Sequence, residues 1–286
     1  MSMDAGREFA FSAADFRRVQ ELIKTRAGID LGTNKQSLVY GRLARRLRAL
    51  QVQDFGEYLS LVEDASSDEA GRFVNAITTN VTEFFRENHH FEYLAKTVLP
   101  ALWRQTGTRR ARFWSAGCST GEEPYSLAMT VSENMPPPGT GNWDIKILAT
   151  DLDTDVLAHA SEGIYAADRV EKIPAPRLHK FFRRAGSDGA HQVSPELRSL
   201  VTFKQLNLME PWPMQGPFDV IFCRNVVIYF DDATKRGLVQ RYRDLLGDTG
   251  YLMLGHSESL VGSSIGFDGC GRTIYRKALG ARPASS

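Results

Sequence analysis

Arg112-Phe113-Trp114-Ser115-Ala116-Gly117-Cys118-Ser119-Thr120-Gly121-Glu122-Glu123-Pro124-Tyr125-Ser126 changes character twice along its length. It reads as a strand, a glycine turn and the start of a helix. Phe113 and Trp114 make a short apolar strand, Gly117 and Gly121 bracket a loop of small residues, and Pro124 stands where a first helical turn tolerates a missing N–H. A strand that runs into a helix N-terminus leaves backbone N–H groups at its carboxyl end, the ligand position of an open α/β sheet. Two acids, Glu122 and Glu123, open this helix. They complement its positive end and would repel a pyrophosphate, whereas an amino group or a sugar hydroxyl suits them.

The dinucleotide fingerprint Gly-x-Gly-x-x-Gly is missing, since Ala116–Gly121 supplies two glycines at another spacing, and a nicotinamide dehydrogenase is disfavoured with it. S-adenosylmethionine carries an adenine, a ribose diol, an amino-acid end and a sulfonium but no phosphate, so it fits a loop of small residues and acids. An ordinary βα turn without a ligand fits it too. Further strands follow. Trp143–Thr150 ends in Asp151-Leu152-Asp153, where Asp151 is placed to accept from two vicinal ribose hydroxyls and Asp153 to cap the next helix. Val201–Leu206 ends at Asn207-Leu208. Phe218–Cys223, apolar enough to be buried on both faces, delivers Arg224-Asn225-Val226-Val227-Ile228-Tyr229-Phe230 to the same edge. A helix over Asp232–Leu246, a strand at Tyr251–Leu254 and a closing strand at Thr273–Arg276 complete the alternation. Between Tyr165 and Leu200 the pattern breaks into a short helix near Pro176–Phe182 and a small hairpin at Arg183–Val193.

The chain has 286 residues, 42% hydrophobic and 24% charged, which bounds it to one large or two modest globular domains. Its net charge of +1 gives no global pull toward nucleic acid or a membrane surface. No signal-peptide pattern and no long apolar run appear, so a cytoplasmic protein without membrane insertion is expected, as a monomer. Cys118, Cys223 and Cys270 are far apart, with no spacing that suggests zinc or redox chemistry. The last residues, 281–286, read as frayed, and no carboxy-terminal extension is long enough for an added repeat domain.

Residues 9–106 read as helices only. Ser12 with Asp15 opens the first, an acidic variant of the capping box, and Gly28 ends it. The second, near Gln36–Leu50, has an apolar stripe of Leu43, Leu47 and Leu50. Arg42, Arg45 and Arg46 lie on another face, joined by Arg48 and by Arg17 and Arg18 upstream. This is either a solvated face or a surface for an acidic partner. Helices over Asp54–Val62 and Glu69–Ile77 follow. Thr78–Glu87 fits neither a helical nor a strand period: it is a ligand lining, or an N-cap at Thr82 accounts for its polar side chains. His89 and His90, adjacent on a helix, point about 100° apart and are not expected to share a metal. The link to the second domain falls at Gln105–Arg110.

With these segments in place the chain resembles the chemotaxis receptor glutamate methyltransferases of the CheR type. The resemblance spans nearly the whole chain and rests on four motifs in order: Thr78-Thr79-Asn80-Val81-Thr82-Glu83-Phe84-Phe85-Arg86, Ser119-Thr120-Gly121-Glu122-Glu123-Pro124-Tyr125-Ser126, Ala149-Thr150-Asp151-Leu152-Asp153, and Phe222-Cys223-Arg224-Asn225-Val226-Val227-Ile228-Tyr229-Phe230. It implies an all-α domain (9–106) and a doubly wound, Rossmann-like α/β methyltransferase domain (107–280) with an inserted antiparallel β-subdomain at about 183–200. It implies S-adenosylmethionine as cofactor, contacted by Asn80, Thr82, Arg86, Glu123, Asp151, Asn207, Leu208, Arg224 and Asn225. Arg86 suits the cofactor's carboxylate, and Tyr229 is similar to the family's active-site tyrosine. The implied partner is the cytoplasmic methylation region of chemoreceptors, for which Arg42, Arg45, Arg46 and Arg48 offer a docking surface. One departure stands out. The turn Arg184–Gly189 is shorter than the glycine-rich turn of members that dock on a receptor pentapeptide, which weakens the case for tethered docking.

Methyl-ester formation on a glutamate needs no general base, because a carboxylate with a pKa of about 4.3 is already ionised at neutral pH. The absence of a His/Asp/Ser constellation agrees with that. So does the absence of the Asn/Asp-Pro-Pro-aromatic motif common in amine methyltransferases, where this chain has Arg224-Asn225-Val226-Val227. The alternative reading is a non-catalytic binding module of the same fold. Loss of Arg86, Asp151 or Tyr229 would favour it, and all three are present.

Overall fold

Strand β1 (Arg110–Ala116) lies at the middle of the molecule, and its alternation builds two cores at once. Phe113 points to one face of the sheet, among Phe91, Leu127, Val131 and Phe222; Trp114 points to the other, among Phe218, Ile221 and Tyr242. Both are fully buried. The computed structural model describes residues 7–105, 109–136, 139, 141–187, 189–260 and 266–278. The expected domain boundary at 106/107, Asp188 of the hairpin turn and residues 281–286 lie outside the described residues.

The first four helices are α1 (Ala13–Ala27), α2 (Gln36–Leu50), α3 (Phe55–Glu63) and α4 (Glu69–Ile77), packed around Phe11, Val19, Ile23, Leu43, Phe55, Tyr58 and Phe73. Ser12 and Asp15 form the expected reciprocal cap on α1, and Gly28 closes it in a left-handed conformation at φ 72°. Next come α5 (His89–Tyr93), one π turn (Leu94–Val98) and α6 (Leu99–Trp103), whose Phe91, Leu94, Leu99 and Leu102 pack into the core on one face of the sheet.

Around β1 the larger sheet takes in β2 (Asp144–Asp151), β6 (Val201–Gln205), β7 (Phe218–Cys223), β8 (Leu246–Leu254), β9 (Phe267–Gly271) and β10 (Ile274–Lys277), in the order β6-β2-β1-β7-β8-β10-β9. The first five run parallel; β10 pairs antiparallel with β8, and β9 with β10. Helices α7 (Glu122–Glu133) and α8 (Thr154–Glu162) follow β1 and β2, and α12 (Asp232–Leu245) joins β7 to β8. The chain steps from β1 one way to β2 and the other way to β7, so the carboxyl ends of these three strands flank the crevice of a doubly wound sheet.

A second, antiparallel sheet is inserted between α8 and β6: β3 (Ile164–Tyr165), β4 (Phe182–Ala185) and β5 (Ala190–Val193), ordered β3-β5-β4. The short helices α9 (Ala167–Val170) and α10 (Ala175–Phe181) lie within it, and α11 (Pro195–Arg198) leads back to β6. The hairpin matches the sequence reading. The strand β3 does not appear in that reading, because two residues carry no period; it is added by tertiary pairing of Ile164 with Gln192 and Tyr165 with His191.

Candidate cofactor and active site

A cavity of about 540 Å³ opens where β1, β2, β6 and β7 end, within the size range of small-molecule sites. Its floor is the edge of the larger sheet with the start of α7: Gly117, Ser119, Glu123, Asp151, Asn207, Leu208, Arg224 and Asn225. Its opposite wall comes from α1, α2 and the segment after α4, through Ile29, Leu38, Arg42, Asn80, Thr82 and Arg86. The helical domain is therefore part of the site. Lys24 of α1 pairs with Asp231 at the start of α12, Asn207 Nδ2 donates to the Arg26 carbonyl at 2.7 Å, and Asp30 N donates to the Tyr229 carbonyl at 2.8 Å. At Gly28 an added Cβ would fall 2.4 Å from Met209 Sδ, so this glycine serves the contact as well as the cap.

The loop after β1 is no phosphate cradle. Gly117 N and Cys118 N donate to the Thr150 carbonyl at 2.8 and 2.9 Å, and Ser119 N donates to Asp151 Oδ2 at 2.8 Å. Those N–H groups are already used, which is what separates this corner from a dinucleotide turn. Gly117, at φ 95°, lies so close to Val226 that a Cβ would sit 2.3 Å from its Cγ2. The two acids of α7 divide. Glu122, fully buried, accepts from Thr120 Oγ1 at 2.6 Å and from Arg169, and holds the inserted segment. Glu123 faces the cavity, accepts from Ser115 Oγ at 2.8 Å and pairs with Arg224 Nη1 at 3.2 Å. Burial pushes its carboxyl pKa up, against the Arg224 charge and the Ser115 hydroxyl. Asp151 behaves alike: burial raises it, opposed by the N–H groups of Asp153 and Ser119. Asp153 caps α8 as expected, accepting from Asp155 N at 2.9 Å, and its other oxygen takes Asn80 Nδ2 at 2.7 Å and Thr78 Oγ1 at 2.8 Å. Asn80 is thereby turned toward Asp153.

Arg224 is almost wholly buried and acts as a tie. Its guanidinium donates to the Arg86 carbonyl, pairs with Glu123 and stands 3.5 Å from Glu87 Oε2. Arg86 extends along the cavity with one hydrogen bond, from Nη1 to the Val81 carbonyl at 2.9 Å. Among the described residues it has no ion pair, so its fork can receive a carboxylate. The N-cap expected at Thr82 is not formed. Residues 78–83 are irregular, 84–88 turn, and α5 starts only at His89. Phe85 and Glu87 sit at φ 56° and 52°, a left-handed backbone no helix continues through. Phe84 is drawn between Tyr165 and Phe182 while Phe85 stacks edge-on to Phe91, and this packing overrides the capping preference.

The expected divergence of His89 and His90 is also corrected. Their ring centroids are 4.1 Å apart, and both Nε2 atoms face the Arg272 carbonyl, at 3.1 and 3.2 Å. They stand at the frayed start of a five-residue helix, where side-chain rotation overcomes the angular offset. With Glu87 they bring three possible ligand atoms within 4.8 Å of one another. Arg224 stands 3.5 Å from Glu87 Oε2, and burial with that same charge pushes the His90 pKa down to about 3.

The arginine stripe of α2 is not one free surface. Arg42 lines the cavity and donates to the Thr78 carbonyl at 2.8 Å, to the Ile77 carbonyl at 2.5 Å and to Thr79 Oγ1 at 3.1 Å. Arg46 makes a two-pronged pair with Glu69, at 2.9 and 2.7 Å, and Tyr58 donates to the same carboxylate at 3.1 Å. Arg48 pairs with Glu8 at 2.7 Å. Of the four, Arg45 is exposed with no ion pair among the described residues.

Sequence reading missed one residue that organises the site. Glu258, 3% exposed, accepts from Gly255 N at 2.6 Å, Asn225 N at 2.8 Å and Ile228 N at 3.2 Å, gripping the loop that carries Asn225 and Tyr229. Asn225 is held there at φ 59°. The signal available was a lone acid in the run after β8, Gly255-His256-Ser257-Glu258-Ser259-Leu260.

A doubly wound sheet, a cavity at its switch point lined by acids instead of a phosphate nest, and a helical cover define a nucleoside-cofactor transferase with an all-α domain packed over its cavity. The chain belongs to the CheR methyltransferase family. Residues 14–78 match the model of the CheR methyltransferase all-alpha domain, and residues 80–276 that of the CheR methyltransferase SAM binding domain. It is 44% identical to "Chemotaxis protein methyltransferase 2" of Pseudomonas aeruginosa, over 95% of this chain and 96% of that one. It is also 44% identical to the "Chemotaxis protein methyltransferase" of Escherichia coli, over 93% and 91%, and to that of Salmonella typhimurium, over 94% and 92%. The protein is a methyltransferase that uses S-adenosylmethionine. Among the described residues no helix is long and apolar enough to cross a membrane.

Proposed function

We propose that the chain methyl-esterifies glutamate side chains in the cytoplasmic methylation region of chemoreceptors, acting in the cytoplasm as a monomer. The observation that carries this is the division of charge in the cavity. Glu123 and Asp151 lie on the floor, where Arg224 pairs with Glu123, while the covering wall carries Lys35, Arg42 and Arg86 against the single acid Asp30, and the lining contains no histidine or cysteine. A carboxylate substrate is drawn in by the excess of cations on that wall and needs no base.

S-adenosylmethionine supplies a methyl group on a positive sulfonium. In this reading Asp151 accepts from the ribose hydroxyls, Glu123 receives the cofactor's amino group, and Arg86 receives its carboxylate. Leu208 and Asn207 border the adenine side, and Asn80, Thr82, Arg224 and Asn225 complete the enclosure. Tyr229, half-buried and fixed through its carbonyl by Asp30 N–H, lies beside the acceptor carboxylate. The protein's contribution is then alignment and exclusion of water. Arg45 gives the receptor a point of electrostatic approach; Arg42 serves the cavity, Arg46 is held within the fold by Glu69, and Arg48 is paired at the surface with Glu8. The test is incubation with methyl-labelled S-adenosylmethionine and a receptor cytoplasmic fragment. Base-labile label on glutamates is expected, and acid- and base-stable label, or none, would overturn the reading.

A further inference from the structure

Among the described residues six large apolar side chains are exposed, and three of them, Leu38 (45%), Val81 (76%) and Ile228 (45%), line the same cavity. They come from three distant parts of the chain: α2, the irregular segment after α4, and the loop after β7. Arg42 draws the three together. It stands one turn from Leu38 on α2, it donates to Ile77, Thr78 and Thr79 just ahead of Val81, and it lines the same cavity as Ile228 and Tyr229. Exposed apolar residues scattered singly need no explanation, but convergence on one mouth does. All three leave apolar surface open toward the cavity, Val81 most of all at 76%.

We infer that Leu38, Val81 and Ile228 form an apolar collar that seats the substrate helix, gripping apolar side chains that flank the glutamate to be methylated. This rests on the glutamate-methyltransferase reading and adds what selects the glutamate. The occupant is an amphipathic helix, because α2 offers a matching track. Leu38, Arg42 and Arg45 recur at i, i+4 and i+7 on one face, so an apolar contact, the cavity and an exposed cation follow one another over about 10 Å. A helix laid along that face presents an apolar residue to the collar, its glutamate to the cavity, and a further acid to Arg45. An extended peptide, rising about 3.3 Å per residue, would not keep that spacing with one face toward the enzyme.

The collar separates from simple charge attraction by its response to salt. Leu38→Asn, Val81→Asn and Ile228→Asn should each raise KM for a receptor cytoplasmic fragment about tenfold, the loss of an apolar anchor at an interface. S-adenosylhomocysteine affinity should be unchanged, and the KM defect should persist from low to high salt, because apolar contacts are not screened. The exposed positions allow folding, which circular dichroism verifies, and Val81→Ile should restore wild-type KM. Unchanged KM in all three variants overturns the collar. So does a parallel loss of S-adenosylhomocysteine affinity, which would assign these side chains to the cofactor. If the wild-type enzyme places no base-labile label on the fragment, the underlying glutamate reading fails instead, and the collar falls with it.

Discussion

Replacing Glu258 with Gln removes one acceptor from a carboxylate that holds three backbone N–H groups in a dry site. Oε2 takes Gly255 N and Asn225 N, Oε1 takes Ile228 N, and among the described residues no cation pairs with it. The amide can keep its oxygen toward one set only, so its NH2 must face at least one N–H. A lost charge-assisted bond and an unsatisfied buried donor together cost several kcal/mol, and removing a buried charge returns part of that, leaving a net loss of about 1–3 kcal/mol. Urea unfolding of wild type and variant measures it. Because the grip ends on Asn225 and Ile228, next to Tyr229, turnover should fall further than folding alone accounts for. A misplacement costing about 1.4 kcal/mol of transition-state stabilisation lowers kcat about tenfold. The pH dependence gives a second reading. Burial holds the Glu258 carboxyl above its ordinary value despite its donors. Between the unfolded pKa near 4.3 and that raised value the folded state binds the extra proton, so this group's contribution to stability falls as pH rises through the window. Glu258→Gln should lack that slope. A folded variant with wild-type kcat and an unchanged slope of stability against pH would show that Glu258 does not position the loop.

Five further variants have expected outcomes. Asp151→Ala should weaken S-adenosylhomocysteine binding by about 1–3 kcal/mol in calorimetry, the cost of leaving ribose hydroxyls without a charged acceptor, and an unchanged Kd removes Asp151 from the cofactor site. Tyr229→Phe should lower receptor methylation while S-adenosylhomocysteine Kd stays near wild type; wild-type turnover leaves only its ring with a part to play. Arg45→Glu should lower methylation at limiting receptor and flatten its salt dependence without loss of stability. Arg46→Glu, facing the buried Glu69, should instead destabilise the fold by roughly 3 kcal/mol, and equal melting of the two variants would refute that division. Asp231, held below the usual carboxylate range by Lys24 and the Thr234 N–H, contributes stability above its unfolded pKa of about 3.9 that is lost as pH falls toward its folded value. Lys24→Met should remove most of that acid dependence, measured by melting below pH 5.

The elements that could be read directly were those in which local chemistry and tertiary demand agree. Helix α2 runs over Gln36–Leu50 and α4 over Glu69–Ile77, where the apolar stripe alone sets the limits. The strand Phe218–Cys223 and the hairpin of the inserted sheet were legible for the same reason. What could not be read was whatever depends on a distant partner. Strand β9 exists because β10 offers its edge, and its own sequence, Phe-Asp-Gly-Cys-Gly, carries no strand preference. The polar run before Phe84 resembled a helix cap because Thr82 is a good capping residue; nothing local announces that two phenylalanines are drawn to different aromatic groups and pull the backbone left-handed.

The arginines of α2 show the same principle at the site. By spacing, Arg42, Arg45 and Arg46 are interchangeable members of one basic patch. In the fold each answers to a different neighbour: Arg42 to carbonyls at the end of α4, Arg46 to a buried glutamate and tyrosine, Arg45 to solvent. Charge count along a helix therefore overstates the surface available to a partner, because cations near helix–helix contacts are used to close the domain. The floor of the cavity escaped this ambiguity. Asp151 ends β2 and Arg224 directly follows β7, and a strand end fixes a side chain's position through the ladder, while Glu123 is set by the first turn of α7. The covering wall has no such ladder. It is set by how α1, α2 and the irregular segment dock on the sheet, through Lys24–Asp231, Asn207–Arg26 and Asp30–Tyr229, contacts between residues roughly 180 to 210 positions apart in the chain. In such an arrangement the residues at the sheet edge are legible and those of the covering wall are not, because the first follow from one domain's topology and the second meet the cavity only once the helices dock on the sheet.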